Sequence, residues 1–148
     1  MYLTLYNDTH QTFIDNYCLS ERKLRYVRAP QLAVKDSNRH SVLAFENEVL
    51  VTFFTLHYCS GEFPTTDCLI VEDISTDYRH LRNGHVSRAL QILPEFVKQH
   101  FPEVKQLILL VTEDKHFTQS LCKYADFQDT ENRSLPPGDA QVFFQTSI

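Results

Sequence analysis

The stretch Gly84-His85-Val86-Ser87-Arg88-Ala89-Leu90-Gln91-Ile92-Leu93-Pro94-Glu95-Phe96-Val97-Lys98-Gln99-His100-Phe101, with Leu107-Ile108-Leu109-Leu110-Val111 soon after it, decides the fold. Val86, Leu90, Leu93, Val97 and Phe101 recur at helical spacing and make one apolar stripe. A helix is therefore expected from Gly84 to His100. Pro94 inside it should kink it or remove one backbone bond. Leu107 to Val111 is continuously apolar, as in a strand buried on both faces beside a parallel neighbour. Helix followed by such a strand is the second half of a strand-helix-strand crossover.

Working outward, Cys68 to Ile74 is the strand that should precede the crossover. Before it, Ser41 to Glu46 and Val49 to Tyr58 are apolar and β-branched, and Glu46-Asn47-Glu48 divides them, which predicts a hairpin. Tyr2 to Tyr6 alternates as a short first strand. Asp8 to Tyr17 predicts a helix with Phe13, Ile14 and Tyr17 on one face. Ser20 is placed to cap another, and Pro30 opens a short third that runs from Gln31 to Lys35. Ser60 to Asp67 is a polar loop. Downstream, Lys115 to Tyr124 predicts a helix, and Ala140 to Thr146 a closing strand after Pro136-Pro137-Gly138-Asp139. The expected architecture is α+β: a mixed, mostly antiparallel sheet flanked by helices, with a central strand-helix-strand crossover.

The chain has 148 residues, enough for one domain spanning 1–148 with a respectable core. A net charge of -5 argues against nucleic-acid binding by bulk positive charge. No apolar run approaches the roughly 18 residues a bilayer span needs, so no membrane association is expected. The opening Met1-Tyr2-Leu3-Thr4-Leu5-Tyr6 lacks the basic-then-apolar order of a secretory signal. These features predict a cytoplasmic protein, in which Cys18, Cys59, Cys68 and Cys122 would be free thiols, since their spacing matches no metal or redox motif.

The helix-strand-helix part resembles the GNAT acetyltransferase superfamily, in particular a bacterial single-domain subgroup. Ala89 to Pro102 is similar to its long helix and Leu107 to Val111 to the strand that follows. Leu121-Cys122-Lys123-Tyr124-Ala125-Asp126-Phe127-Gln128-Asp129-Thr130 stands where that subgroup has "LYxKxGFxDT", and Cys18-Leu19-Ser20-Glu21 up to Pro30 is similar too. The family's phosphate loop, Q/R-x-x-G-x-G/A, falls on Leu81-Arg82-Asn83-Gly84-His85-Val86. Gly84 keeps the first glycine; Leu81 replaces the Gln or Arg, and Val86 the small last residue. The family's frequent Asn falls at Lys115, its general-acid Tyr at Cys122 and its "GF" glycine at Asp126.

The resemblance implies acetyl-CoA as co-substrate. The chemistry of the residues is compatible. A turn entering a helix N-terminus binds anions through unpaired N–H groups and the positive dipole end. Arg82, Asn83, Gly84, His85, Val86 and Ser87 are the candidates to hold the pyrophosphate, within a basic cluster of Arg79, His80, Arg82, His85 and Arg88. His80 and His85 lack a third partner, so no metal is expected. Backbone N–H groups near Asp73 and Ile74 are candidates to meet the pantetheine arm or the thioester carbonyl.

Acetyl transfer to an amine requires that the amine lose its proton, the carbonyl be polarised and the leaving thiolate be protonated. The resemblance places the acetyl group at the end of the central strand, where Glu72 and Asp73 are the candidate bases. Strand alternation would send their side chains to opposite faces. Cys122 is the candidate acid by position. Two further readings stand beside the enzyme. One is a GNAT-fold module that binds CoA or a protein partner with little or no catalysis. The other is an interaction protein, monomer or homodimer, whose aromatic hairpin residues Phe53, Phe54 and Tyr58 form a face. In the enzyme reading the acceptor is the amine of a small molecule or peptide.

Overall fold

A computed structural model describes residues 1–59, 67–112, 122–123, 125–133 and 141–147. Its elements are β1 (Tyr2–Leu5), α1 (Gln11–Asp15) behind a 3-10 turn at Asp8–His10, α2 (Glu21–Leu24), α3 (Pro30–Ala33), β2 (His40–Glu46), β3 (Val49–Tyr58), β4 (Cys68–Thr76), a 3-10 turn at Tyr78–His80, α4 (His85–His100), β5 (Gln106–Thr112), β6 (Gln128–Arg133) and β7 (Gln141–Ser147). The strand order is β1-β2-β3-β4-β5-β7-β6. Only β4 and β5 run parallel among the registered pairs; β1 with β2, β2 with β3, and β7 with β5 and β6 are antiparallel. This is the mixed, mostly antiparallel α+β sheet expected, with its crossover through α4.

The chain divides into two compact units, Met1–His57 with Glu72–Ala89, and Tyr58–Val71 with Leu90–Ile148. In the first, β2 and β3 form the hairpin. Asn47 (φ 50°) and Glu48 (φ 64°) turn it, a left-handed pair that suits the twist of the flanking strands. The three helices are short, and their starts are set locally. Asn7 accepts from Thr9 N, Ser20 accepts from Lys23 N, and Pro30 stands at the first turn of α3. Apolar side chains of α1, α3 and Tyr17 pack on the hairpin: Ile14, Tyr17, Ala33, Leu43, Phe45, Leu50 and Phe53 form one buried cluster. Each large side chain fully buried there contributes roughly 2 kcal/mol.

In the second unit Leu69 to Val71 of β4 pair with Leu107 to Leu109 of β5, and these residues are all buried. Leu90, Leu93, Val97 and Phe101 are buried as the stripe requires. Pro94 sits inside α4, and its nitrogen has no hydrogen to offer the Leu90 carbonyl. Cys122 and Lys123 are helical; the rest of the expected Lys115–Tyr124 helix and the loop 60–66 lie outside the described residues. After that helical pair the chain turns at Asp126 (φ 66°), with Phe127 N donating to Cys122 O at 2.9 Å. This is a left-handed helix stop at the place of the family's glycine, and Asp tolerates that conformation better than most side chains.

Three expectations need correction. Strand β6, Gln128-Asp129-Thr130-Glu131-Asn132-Arg133, was not foreseen because it is polar throughout. Cys59 and Cys68 are not free thiols but a disulfide. Cys59 N donates to Cys68 O at 3.0 Å, so the two sit opposite each other with Cα atoms 5.5 Å apart, within bridging reach. Phe53 and Phe54, at 0% and 1% exposure, are core and present no face; Tyr58 alone of the three is exposed. No helix among the described residues is long and apolar enough to cross a membrane.

Candidate functional site

The first unit contains both features that the sequence singles out, the start of α4 and the end of β4. The turn into α4 carries two left-handed residues, Arg82 (φ 67°) and Gly84 (φ 72°). A Cβ at Gly84 would meet only Arg88 Nη1, at an ordinary 3.5 Å. Glycine is needed there for backbone conformation rather than for room. His85, Val86 and Ser87 then form the first turn, whose N–H groups have no carbonyl ahead of them in the helix. Arg88 N makes the first rung, to Gly84 O at 3.1 Å. Ser87 is 7% exposed, and its Oγ is buried with no hydrogen-bond partner among the described residues. A buried hydroxyl left unpaired costs about 1–3 kcal/mol. Free N–H groups, the positive end of a sixteen-residue helix and an unsatisfied hydroxyl together suit a phosphate group such as the pyrophosphate of CoA.

The basic cluster is less free than its composition implies. The Arg79 guanidinium is 2.6 Å from Asp77 Oδ2 and also donates to Asn16 O. Arg88 donates to Asn83 O (3.0 Å) and to His85 Nδ1 (2.7 Å), and its Nε is 3.7 Å from Glu46. Burial, with Arg88 beside it, lowers the pKa of His85, so its imidazole is neutral at pH 7 and adds no charge. Asn83 donates to His80 O, which braces the turn. Arg82 is exposed and makes no ion pair among the described residues, which leaves its charge available.

At the end of β4, Asp73 has a φ of 56°. The expected alternation fails at this residue. Thr55 and His57, two apart on β3, share a face. Asp73 Oδ2 accepts from Thr55 Oγ1 at 2.9 Å, and Glu72 Oε1 lies 2.9 Å from His57 Nε2. Both carboxylates therefore reach one side of the sheet. They join an ionic chain from His57 through Glu72, Arg39, Asp36 and Arg28 to Asp73, with N···O distances of 2.9, 3.5, 3.9, 3.0 and 3.0 Å. Asp73 is the more committed of the two. It accepts from Arg28 N, Nε and Nη2 as well as Thr55, and it raises the Arg28 pKa further above its usual value. Ile74, beside it, is half-buried.

Cys122, in the second unit, is 0% exposed, and burial pushes its thiol up to about 12. Handing a proton from such a thiol to a thiolate of ordinary pKa is uphill. The general-acid role expected at this position is thus disfavoured.

His57, Arg28 and Arg39 did not stand out in the sequence. His57 had a usable signal: it is a titratable residue in phase with Thr55 in the hairpin strand. The arginines had none, because their partners arrive from β4 and from the segment after α3.

No protein-family model matches the chain. It is 23% identical over 152 residues to YbbJ, an uncharacterised N-acetyltransferase of Bacillus subtilis, covering 95% of this chain and 92% of that one. Among solved structures it matches aminoglycoside acetyltransferase AAC(6')-Ib in complex with coenzyme A and kanamycin, with a TM-score of 0.78 at 12% identity, covering 98% and 93% of the two chains. It also matches a GNAT-family acetyltransferase from Bacillus anthracis, with a TM-score of 0.72 at 10% identity over 98% and 93%. The fold of this chain is that of the GNAT acetyltransferases, and its likeness to a curated N-acetyltransferase supports membership of that superfamily.

Proposed function

We propose that the protein is an acetyl-CoA-dependent N-acetyltransferase acting by direct attack of an amine on the thioester within a ternary complex. The observation that carries this reading is the start of α4: left-handed Gly84, the free N–H groups of His85 to Ser87 and the unpaired Ser87 hydroxyl form an anion cradle. Arg82 supplies its unspent charge, and Asn83 holds the turn. The N–H groups near Asp73 and Ile74 are the candidates to meet the pantetheine arm. Acetyl-CoA brings the activated acyl group, and the end of β4 brings the acid-base groups. One enzyme of the same fold, AAC(6')-Ib, was solved with kanamycin or ribostamycin alongside CoA. This favours a small-molecule amine acceptor over a peptide.

Calorimetric titration with acetyl-CoA at low and moderate salt tests the reading. Micromolar binding that weakens with salt, and weakens again in Arg82→Ala, is the expected result. No detectable heat up to millimolar ligand sinks it. The thiol of Cys122 favours a second reading, a module that binds CoA with little turnover, because burial makes that thiol a poor proton donor. Binding without release of free CoA in the presence of amines would select it.

A further inference from the structure

We infer that His57, oriented by Glu72, is the group that takes the proton from the attacking nucleophile. The inference rests on the acetyltransferase reading and moves the proton-taking role from the β4 carboxylates to β3. His57 is 18% exposed and Glu72 32% exposed, so both reach solvent. His57 Nε2 is committed to Glu72 Oε1, while its Nδ1 makes no hydrogen bond among the described residues. This is the arrangement of an oriented base: one ring nitrogen held by a carboxylate, the other open.

The neighbouring carboxylates are poorer candidates. Asp73 is spent on Arg28 and Thr55. Glu72 is shared between His57 and Arg39, whose Nη2 lies 3.5 Å from Oε2. The β2–β3 register sets His40 opposite Leu56, which brings Arg39 level with His57. Among the described residues the charged group that meets the His57–Glu72 dyad is Arg39, just ahead of β2. A carboxylate held from both sides has its oxygens occupied and is placed to orient an imidazole ring.

The step balances as follows. His57 Nδ1 takes one proton from the nitrogen as that nitrogen bonds to the carbonyl carbon and the carbon–sulfur bond breaks. His57 passes this proton to solvent. The second proton lost by an initially protonated amine goes to the departing sulfur. With water as the nucleophile, His57 takes one proton and returns it to that sulfur, which gives acetate, free thiol and one proton to bulk.

Water is the probe in the test, because it needs no knowledge of the acceptor. Release of free CoA from acetyl-CoA is followed from pH 5 to 9 for wild type, His57→Gln and Glu72→Gln, with CoA affinity measured separately on each. The expected result is an acid limb in the wild-type profile, a rate loss of about 100-fold and no limb in His57→Gln, and CoA affinity changed less than about twofold. Glu72→Gln should lower the release rate while CoA affinity stays unchanged. Imidazole nitrogen NMR on the wild type should show His57 protonated at Nε2 and bare at Nδ1 at pH 8, a readout independent of whether the variants fold. Equal release by His57→Gln and wild type, no protein-dependent release although CoA binds, or the opposite tautomer would each overturn the inference. Loss of CoA binding in the wild type is a separate outcome, which overturns the parent reading.

Discussion

Arg79 holds its guanidinium 2.6 Å from Asp77, a carboxylate only 1% exposed that also accepts from Cys18 N at 3.1 Å. Asp77 thus ties the segment after α1 to the turn that leads into the α4 cradle. Burial opposes its charge, but the Arg79 and backbone donors outweigh burial and hold its pKa below the usual carboxylate range. The unfolded chain therefore binds that proton more readily, so the contribution is present at neutral pH and fades as the pH falls below about 4. Asp77→Asn should cost about 2–4 kcal/mol at pH 7. Thermal unfolding at pH 7 and near pH 3 checks this: the gap to wild type should narrow in acid.

Gly84→Ala should fold. The new methyl group finds room, and only the left-handed backbone resists it, at about 1 kcal/mol. If the turn relaxes to relieve that strain, the N–H groups of the first turn are displaced. We expect a small fall in Tm with a disproportionate loss of acetyl-CoA affinity, tenfold or more, measured by calorimetry. Unchanged affinity would place the ligand elsewhere.

Tyr17 donates its hydroxyl to Ser75 O at 2.8 Å and lies 2.9 Å from Ser75 Oγ. Burial raises its pKa well above the ordinary value. The folded state holds this proton where the unfolded chain would release it, so the contribution is full below about pH 10 and is lost above. Tyr17→Phe should cost about 1 kcal/mol. In an alkaline absorbance titration the Tyr17 phenolate should appear only with unfolding.

The cysteines should separate by chemistry. In native, unreduced protein Cys18 is exposed and alkylates, whereas Cys122 is buried with its thiol pushed up to about 12 and does not. Reduction should expose Cys59 and Cys68 to reagent and lower stability by about 2 kcal/mol. Peptide mapping of the alkylated protein and paired melting curves read both effects.

The sequence announced the elements whose side chains keep a period. The hairpin at Asn47–Glu48, the stripe along α4 and the buried β5 were all legible before the structure. Strand β6 was hidden because Gln128 to Arg133 has no apolar alternation; its place comes from pairing with β7. The turn into α4 was legible through Gly84. The ionic chain was not, since Arg28, Asp36 and Arg39 meet Asp73 and Glu72 only after the sheet has formed. The Cys59–Cys68 pairing likewise follows from the facing of two strand ends rather than from spacing.

A regular strand sends successive side chains to opposite sides, and β4 breaks that order once, at Asp73. Glu72 shares its side with Asp73, and from there Asp73, Ser75 and Asp77 keep that side, as the partners Thr55, Tyr17 and Cys18 show. The left-handed residue acts as a phase slip. A tolerance map along β4 should therefore show little tolerance at 68 to 71, buried on both faces, and an alternation in phase with the odd-numbered positions from 73. Inserting or deleting one residue here would exchange the two sides of the strand for everything beyond it.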